Sequence, residues 1–92
     1  MDIRVFVLKN GTTIIGELLE ERSNYDDYCI RRPLEIKRSA GFGPKLYSYL
    51  RFTEEYESGL LINKVVNFLC VLTPNLELKE RYMGNFLNAT LA

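Results

Sequence analysis

The chain contains no histidine. That absence removes the Ser-His and Cys-His nucleophile pairs together with the commonest general base. Its two cysteines, Cys29 and Cys70, are far apart and neither has a metal-ligating neighbour, so neither a zinc site nor a disulfide framework is expected. Both lie in apolar stretches, where a small buried thiol is the simplest role. An excess of one charge is also missing: 12 basic and 12 acidic residues give a net charge of +0. Bulk attraction to nucleic acid or anionic membrane is thereby excluded, and any such binding must come from a local patch. No window approaches the roughly 18 consecutive apolar residues of a membrane-spanning helix, and the opening MDIRVFVLKNG has no basic head followed by a long apolar run. A cytoplasmic protein with no membrane partner is expected.

Cofactor and carboxylate chemistry lack their motifs as well. The GFGP segment has neither the third glycine nor the following helix start of a dinucleotide fingerprint, so no cofactor and no metal are expected. The paired carboxylates Asp26-Asp27 and Glu54-Glu55 are adjacent, and on a strand adjacent side chains point to opposite faces. The chain is therefore not read as an enzyme.

What is present is the material of one folded domain spanning residues 1–92, with 47% hydrophobic and 26% charged residues. Ile3 to Lys9 reads as a strand, and Asn10-Gly11 predicts a type I′ hairpin turn with φ > 0 twice. Thr12 to Glu21 reads as the return strand, bent at Gly16. After a polar loop, Tyr28 to Ile36 alternates, with Tyr28, Ile30, Leu34 and Ile36 on one face and Cys29, Arg31 and Glu35 on the other. Pro33 puts this strand at an edge or gives it a bulge. Lys37 to Pro44 has loop composition, and Lys45 to Thr53 predicts a strand with Lys45, Tyr47, Tyr49 and Arg51 on one face and Leu46, Leu50 and Phe52 on the other. Glu54, Glu55 and Glu57 form an acidic turn ending at Gly59. Leu60 to Leu72 is long enough for two strands, with a turn at Asn63-Lys64. Thr73-Pro74 signals a helix start, and Leu78, Tyr82 and Phe86, with Met83 and Leu87 beside them, give that helix one apolar face to about Asn88. The prediction is an all-β fold: a small five-stranded, strongly bent antiparallel barrel over about 3–73, closed by one C-terminal α-helix over about 74–88.

Three blocks in order carry a resemblance. VFVLKNGTTIIGELLE has an apolar strand, Asn10-Gly11 in the turn, and Gly16 in the bent second strand. YDDYCI, Tyr25 to Ile30, is similar to the aromatic-Asp-x-aromatic-aliphatic-aliphatic run of a third strand. Ile62-Asn63-Lys64-Val65-Val66 supplies a polar or basic pair between two strands. Together these resemble the Sm-like (SH3-like barrel) family, in particular its bacterial host-factor RNA chaperone branch. Short Sm-like chains of tailed phages, including cyanobacterial ones, are similar in their NGxxxxGE start, a third strand ending in Pro33-Leu34-Glu35-Ile36, and a helix after the last strand. A viral source would place the protein in the host cytoplasm.

The resemblance implies a homo-oligomeric ring of roughly five to seven subunits, closed by heterologous contacts of the fourth and fifth strands. The Val65 to Leu72 segment, apolar apart from Asn67, fits such a buried strand. It also implies single-stranded, U-rich RNA at the pore. Tyr28 takes the base-stacking position and Asp27 the polar position before it, while Asn63 and Lys64 take the second-motif positions. The aromatic used by the host-factor branch for adenine-rich RNA falls at Val7, so no adenine-tract binding is expected there. Ile30 stands where eukaryotic members place an asparagine, and Asn63-Lys64 where they place arginine-glycine. From the residues themselves, Arg31, Lys45, Tyr47, Tyr49 and Arg51 form a secondary basic-aromatic patch suited to single-stranded nucleic acid. A role in RNA metabolism or regulation follows. The alternative is a structural or protein-interaction ring of phage origin that has lost RNA binding, which the zero net charge and the asparagine replaced by Ile30 both favour.

Overall fold

The structure, a computed structural model, describes residues 1–39, 41 and 43–91, and of Ser39 and residues 86–91 it describes the backbone alone. Strands β1 (Ile3–Leu8) and β2 (Thr13–Leu18) pair antiparallel, with Val5 opposite Ile15 and Phe6 opposite Ile14. Their connection is not a type I′ turn. Gly11, at φ 93°, is its one left-handed residue, and its amide donates to the Leu8 carbonyl at 3.0 Å. Asn10 serves the turn through its side chain, whose Oδ1 accepts from the Thr12 amide at 2.9 Å. The second strand ends early, at Leu18, and a short 3₁₀ turn over Glu20–Arg22 follows.

The central element is β3 (Asp27–Ser39), 13 residues long. One side of it pairs with β2. The other side pairs with two strands in succession: β5 (Leu60–Lys64) opposite Asp27 to Arg31, and β4 (Gly43–Ser48) opposite Leu34 to Ser39. The last strand, β6 (Phe68–Leu72), pairs with β1, giving the order β4-β3-β2-β1-β6 with β5 also on β3. Among the described residues the sheet therefore has six antiparallel strands, not five. These correspond to the strand segments read one by one in the sequence, with Leu60 to Leu72 supplying two; the chain leaves β3 after Ser48 and returns to it at Leu60. Leu50 at φ 59° and Phe52 at φ 70° turn it away, and Phe52 is 95% exposed where the alternation predicted an apolar face. The acidic stretch is not a turn but helix α1 (Glu54–Ser58), capped by Thr53 Oγ1, which accepts from the Tyr56 amide, and by left-handed Gly59. The predicted loop from Lys37 to Pro44 is mostly hairpin, since β3 runs to Ser39 and β4 starts at Gly43; Ala40 and Phe42 lie outside the described residues.

Pro33 marks a bulge in a central strand, not an edge. The β2–β3 register passes from Ile15 opposite Leu34 to Glu17 opposite Arg31, so Gly16 faces both Arg32 and Pro33. One extra residue reverses which face later side chains take. Tyr28 and Ile30 consequently point into a core of Phe6, Leu8, Ile14, Leu61 and Phe68. Leu34 and Ile36 point instead into a second core with Ile3, Val5, Ile15 and Tyr82. The single apolar face predicted for this strand is thus two half-faces. A Cβ at Gly16 would lie 2.5 Å from Ile30 Cγ2 and 3.2 Å from the Arg31 carbonyl oxygen, so only glycine lets the strands approach here.

Helix α2 (Leu76–Leu91) covers the second core through Leu78, Tyr82 and Met83; the side chains of Phe86 and Leu87 lie outside the described residues. Its cap is Asn75, whose Oδ1 accepts from the Leu78 amide at 2.9 Å. Thr73, the predicted cap, instead accepts from Arg4 Nη1 at 3.2 Å. The Tyr82 hydroxyl lies 3.2 Å from the Arg31 carbonyl and 2.9 Å from that of Arg32, and donates across both at the bulge. Burial pushes its phenol far above the usual tyrosine range, with the Glu17 carboxylate adding to the effect, so the donor keeps its proton. Cys29 is buried, and burial raises its thiol; Cys70, predicted to be buried too, is exposed because β6 has β1 as its one strand neighbour among the described residues. Among the described residues no helix is long and apolar enough to cross a membrane.

Two substitutions test the bulge by urea denaturation. Gly16→Ala is expected to cost about 1–3 kcal/mol by overpacking. Tyr82→Phe is expected to cost about 1–2 kcal/mol, because it removes a buried donor from two carbonyls. Midpoints equal to that of the unaltered protein would refute the packing described.

Candidate nucleic-acid interface

The start of β3 is built by side chains that fold back on the backbone. Asn24 Oδ1 accepts from the amides of Asp26 and Asp27 at 2.8 and 2.9 Å, and the Asn24 amide donates to the Asp27 carbonyl at 3.0 Å. Ser23 Oγ donates to the Leu19 carbonyl and accepts from the Cys29 amide, each at 2.9 Å. The Val65 amide donates to the Asp26 carbonyl at 2.8 Å, tying the end of β5 to the same corner.

The β3–β5 ladder sets Asp27 opposite Lys64 and Tyr28 opposite Asn63. Residues from two distant blocks thereby meet as direct cross-strand neighbours. The predicted turn at Asn63-Lys64 is displaced: both residues are extended ladder members, and a 3₁₀ turn over Val65–Asn67 makes the reversal. Lys64 Nζ lies 3.4 Å from Asp27 Oδ1. Asn63 Oδ1 accepts from the Lys64 amide and from Asn67 Nδ2, both at 2.8 Å, so the other polar atom of its side chain, Nδ2, is a donor.

Tyr28 is half-buried and held from behind by two rings. Its centroid is 5.2 Å from that of Phe68 with the planes at 77°, and 5.9 Å from that of Phe6 at 59°. In front of it lies a shallow, mostly apolar groove lined by Leu18, Glu20, Ser23, Asn24 and Tyr25. Tyr25 is 100% exposed at its rim. Neither Tyr25 nor Asn67 was singled out by sequence pattern, although Tyr25 begins the third-strand block and Asn67 is the polar residue of an apolar run.

The secondary patch does not stay together. Arg31 is committed to Glu17, a carboxylate only 7% exposed, with Nη2 at 2.5 and 2.8 Å and Nε at 3.1 Å from its oxygens. Tyr49 packs against the first core, and burial, followed by the Glu35 carboxylate, raises its phenol. Arg51 lies beyond the end of β4 with its guanidinium 5.8 Å from the Phe52 ring. Lys45 and Tyr47 alone keep the predicted relation, exposed on the outer face of β4, and Lys37 of β3 joins them. The hairpin register that brings Lys37 there was hidden by the loop composition of Lys37 to Pro44.

No protein-family model matches this chain, and no curated protein matches it in sequence.

The two ion pairs differ in setting and should differ in strength. A double-mutant cycle on Asp27→Ala and Lys64→Ala is expected to return a coupling of about 1 kcal/mol or less, as for exposed pairs. The Glu17→Ala and Arg31→Ala cycle is expected to return about 2–3 kcal/mol, because a carboxylate out of solvent depends on its charge-assisted bonds. Equal couplings in the two cycles would contradict this assignment.

Proposed function

We propose that the chain is a subunit of an Sm-like, homo-oligomeric ring that binds single-stranded, U-rich RNA and acts in RNA metabolism or regulation. The observation that carries this reading is the direct pairing of Asp27-Tyr28 with Asn63-Lys64 in one ladder. These are the two blocks whose resemblance to the family implies contact with one nucleotide. A base stacked on Tyr28 contributes about 1–3 kcal/mol. Asn63 Nδ2 is a donor suited to a uracil oxygen, and Lys64 neutralises a phosphate. Modest contacts of this kind add up through effective concentration when every subunit of a ring presents them.

Assembly is supported by the sheet edges. β5 has β3 and β6 has β1 as its one strand neighbour among the described residues. The strands leave Ile62 and Leu69 each 66% exposed, with Val66 and Leu72 beside them. An apolar edge without a partner strand is a liability in a monomer. Pairing the β5 edge of one copy with the β6 edge of the next removes both edges and repeats head to tail until the ring closes.

A second reading, a structural or protein-interaction ring without RNA, is favoured by one observation: the Asp27 carboxylate sits 3.4 Å from Lys64 Nζ and offsets its charge.

Fluorescence anisotropy of labelled U-rich and mixed-sequence RNA at two salt concentrations separates the two, with light scattering of the eluted species alongside. The RNA ring predicts micromolar or tighter binding that weakens with salt and falls about tenfold or more in Tyr28→Ala, in line with the loss of one stacking contact. Lys64→Ala is expected to lower the salt dependence as well as the affinity. Leu69→Arg is expected to yield monomers. A ring that ignores RNA at low salt would leave the scaffold reading, and a monomer in the unaltered protein would remove both.

A further inference from the structure

At the end of β3 remote from Asp27, the β3–β4 hairpin alternates cleanly. Ile36 and Leu46 turn toward α2, while Glu35 opposite Tyr47 and Lys37 opposite Lys45 turn outward. Lys37, Lys45 and Tyr47 are all exposed, and Lys37 Nζ stands 5.6 Å from the Tyr47 ring centroid. Two more cations lie on the α2 side of the hairpin. Arg38 is exposed at the next rung, opposite Pro44, and Arg81 of α2 donates to the Pro44 carbonyl at 2.9 Å while pairing with Glu77 at 3.1 Å. Between α2 and the outer edge of β4 runs an open trough of about 460 Å³ whose lining includes Lys45, Tyr47 and Arg81.

Like charges directly opposite each other destabilise a strand pair, and Lys37 opposite Lys45 is such a pair. A phosphate set against this rung meets an exposed cation on each strand. The adjoining tyrosine supplies what an inorganic anion or an acidic peptide would not use, a π-surface for a base. Two cations on one rung beside an exposed ring, at an edge strand, are elements of a site that holds a single strand by its backbone.

We propose that Lys37, Lys45 and Tyr47, with Arg81 at the edge of the same trough, form a second contact for single-stranded RNA, gripping the backbone of a strand beyond the nucleotides held at Tyr28 and Lys64. The proposal rests on RNA as the ligand of the proposed function but shares no side chain with the first site. It gives the hairpin a length-dependent role: a strand short enough to end at the first site cannot reach it.

The test compares a six-nucleotide uridine strand with a strand of about 30 nucleotides in anisotropy titrations across a salt series. The protein carries either Lys37→Ala with Lys45→Ala, Tyr47→Ala, or Tyr28→Ala with Lys64→Ala. The hairpin substitutions are all at exposed positions, and elution and circular dichroism check the fold. The double lysine variant is expected to bind the long strand about tenfold more weakly and to lower the slope of log affinity against log salt by about 1.4, at about 0.7 per phosphate lost. Tyr47→Ala is expected to weaken the long strand with little change in slope, and the six-nucleotide strand should be indifferent to all hairpin changes. Unchanged long-strand binding in the hairpin variants overturns the proposal. If the hairpin variants weaken the long strand while Tyr28→Ala with Lys64→Ala changes neither strand, the first site falls and the hairpin contact stands. Displacement of the long strand by polyglutamate at equal charge concentration, with no effect of Tyr47→Ala, would also overturn it and assign the strip to an acidic protein.

Discussion

The bulge of β3 against Gly16 is the constraint on which the rest of the molecule depends. Four features converge there, and each removes a different obstacle to bending a central strand. Gly16 lets the backbones approach. Pro33 brings no amide that would need a ladder partner. Arg32 takes a left-handed conformation at φ 51°, and its amide donates to the Gly59 carbonyl at 2.6 Å. Tyr82 then supplies a hydroxyl to the Arg31 and Arg32 carbonyls at the bulge. A polar group left without a partner at this depth would be costly, so the helix is held to the sheet by chemistry as well as by apolar contact. Glu17 and Arg31 lie at the same bend, which explains why a carboxylate can be buried there.

Because the bend reverses the faces of β3, it also separates the two proposed contacts for RNA. The first half of the strand delivers Asp27 and Tyr28 to β5, on the side of the first core. The second half delivers Lys37 to β4, on the face turned away from α2. A chain with no net charge can in this way keep its cations grouped: Lys64 at one end of β3, and Lys37, Arg38 and Lys45 at the other. The acidic run in α1 balances the total away from these cations, whereas Glu17 and Asp27 offset Arg31 and Lys64 where they stand.

Much of the architecture was legible in the sequence because it rests on local rules. Alternation located β1, β2 and the core of β3, Gly16 and Pro33 announced the bulge, and the spacing of Leu78, Tyr82 and Met83 gave the buried side of α2. What was not legible depends on tertiary partners. Asn75 outcompetes Thr73 as the helix cap because Thr73 is engaged by Arg4, a residue from the other end of the chain. The reversal after β5 is displaced because Asn63 and Lys64 have partners on β3 that keep them extended. Of the candidate site, the first-block and second-block residues meet where the pattern suggested. The basic-aromatic patch dissolved because strict alternation was carried past Ser48, where the chain turns out of the sheet, and because the carboxylate that captures Arg31 sits on a different strand.

The two-piece partner of β3 has a further consequence. Since β4 and β5 are each held in register by their own rungs, and Gly59 is fastened to Arg32, the stretch from residue 49 to residue 59 closes a gap whose two ends are already fixed. Adding residues to a closed surface excursion costs only about 0.6 kcal/mol per doubling of its length. The fold therefore carries a splice point: a site at which chain length can change in evolution or by design, leaving the register on either side untouched.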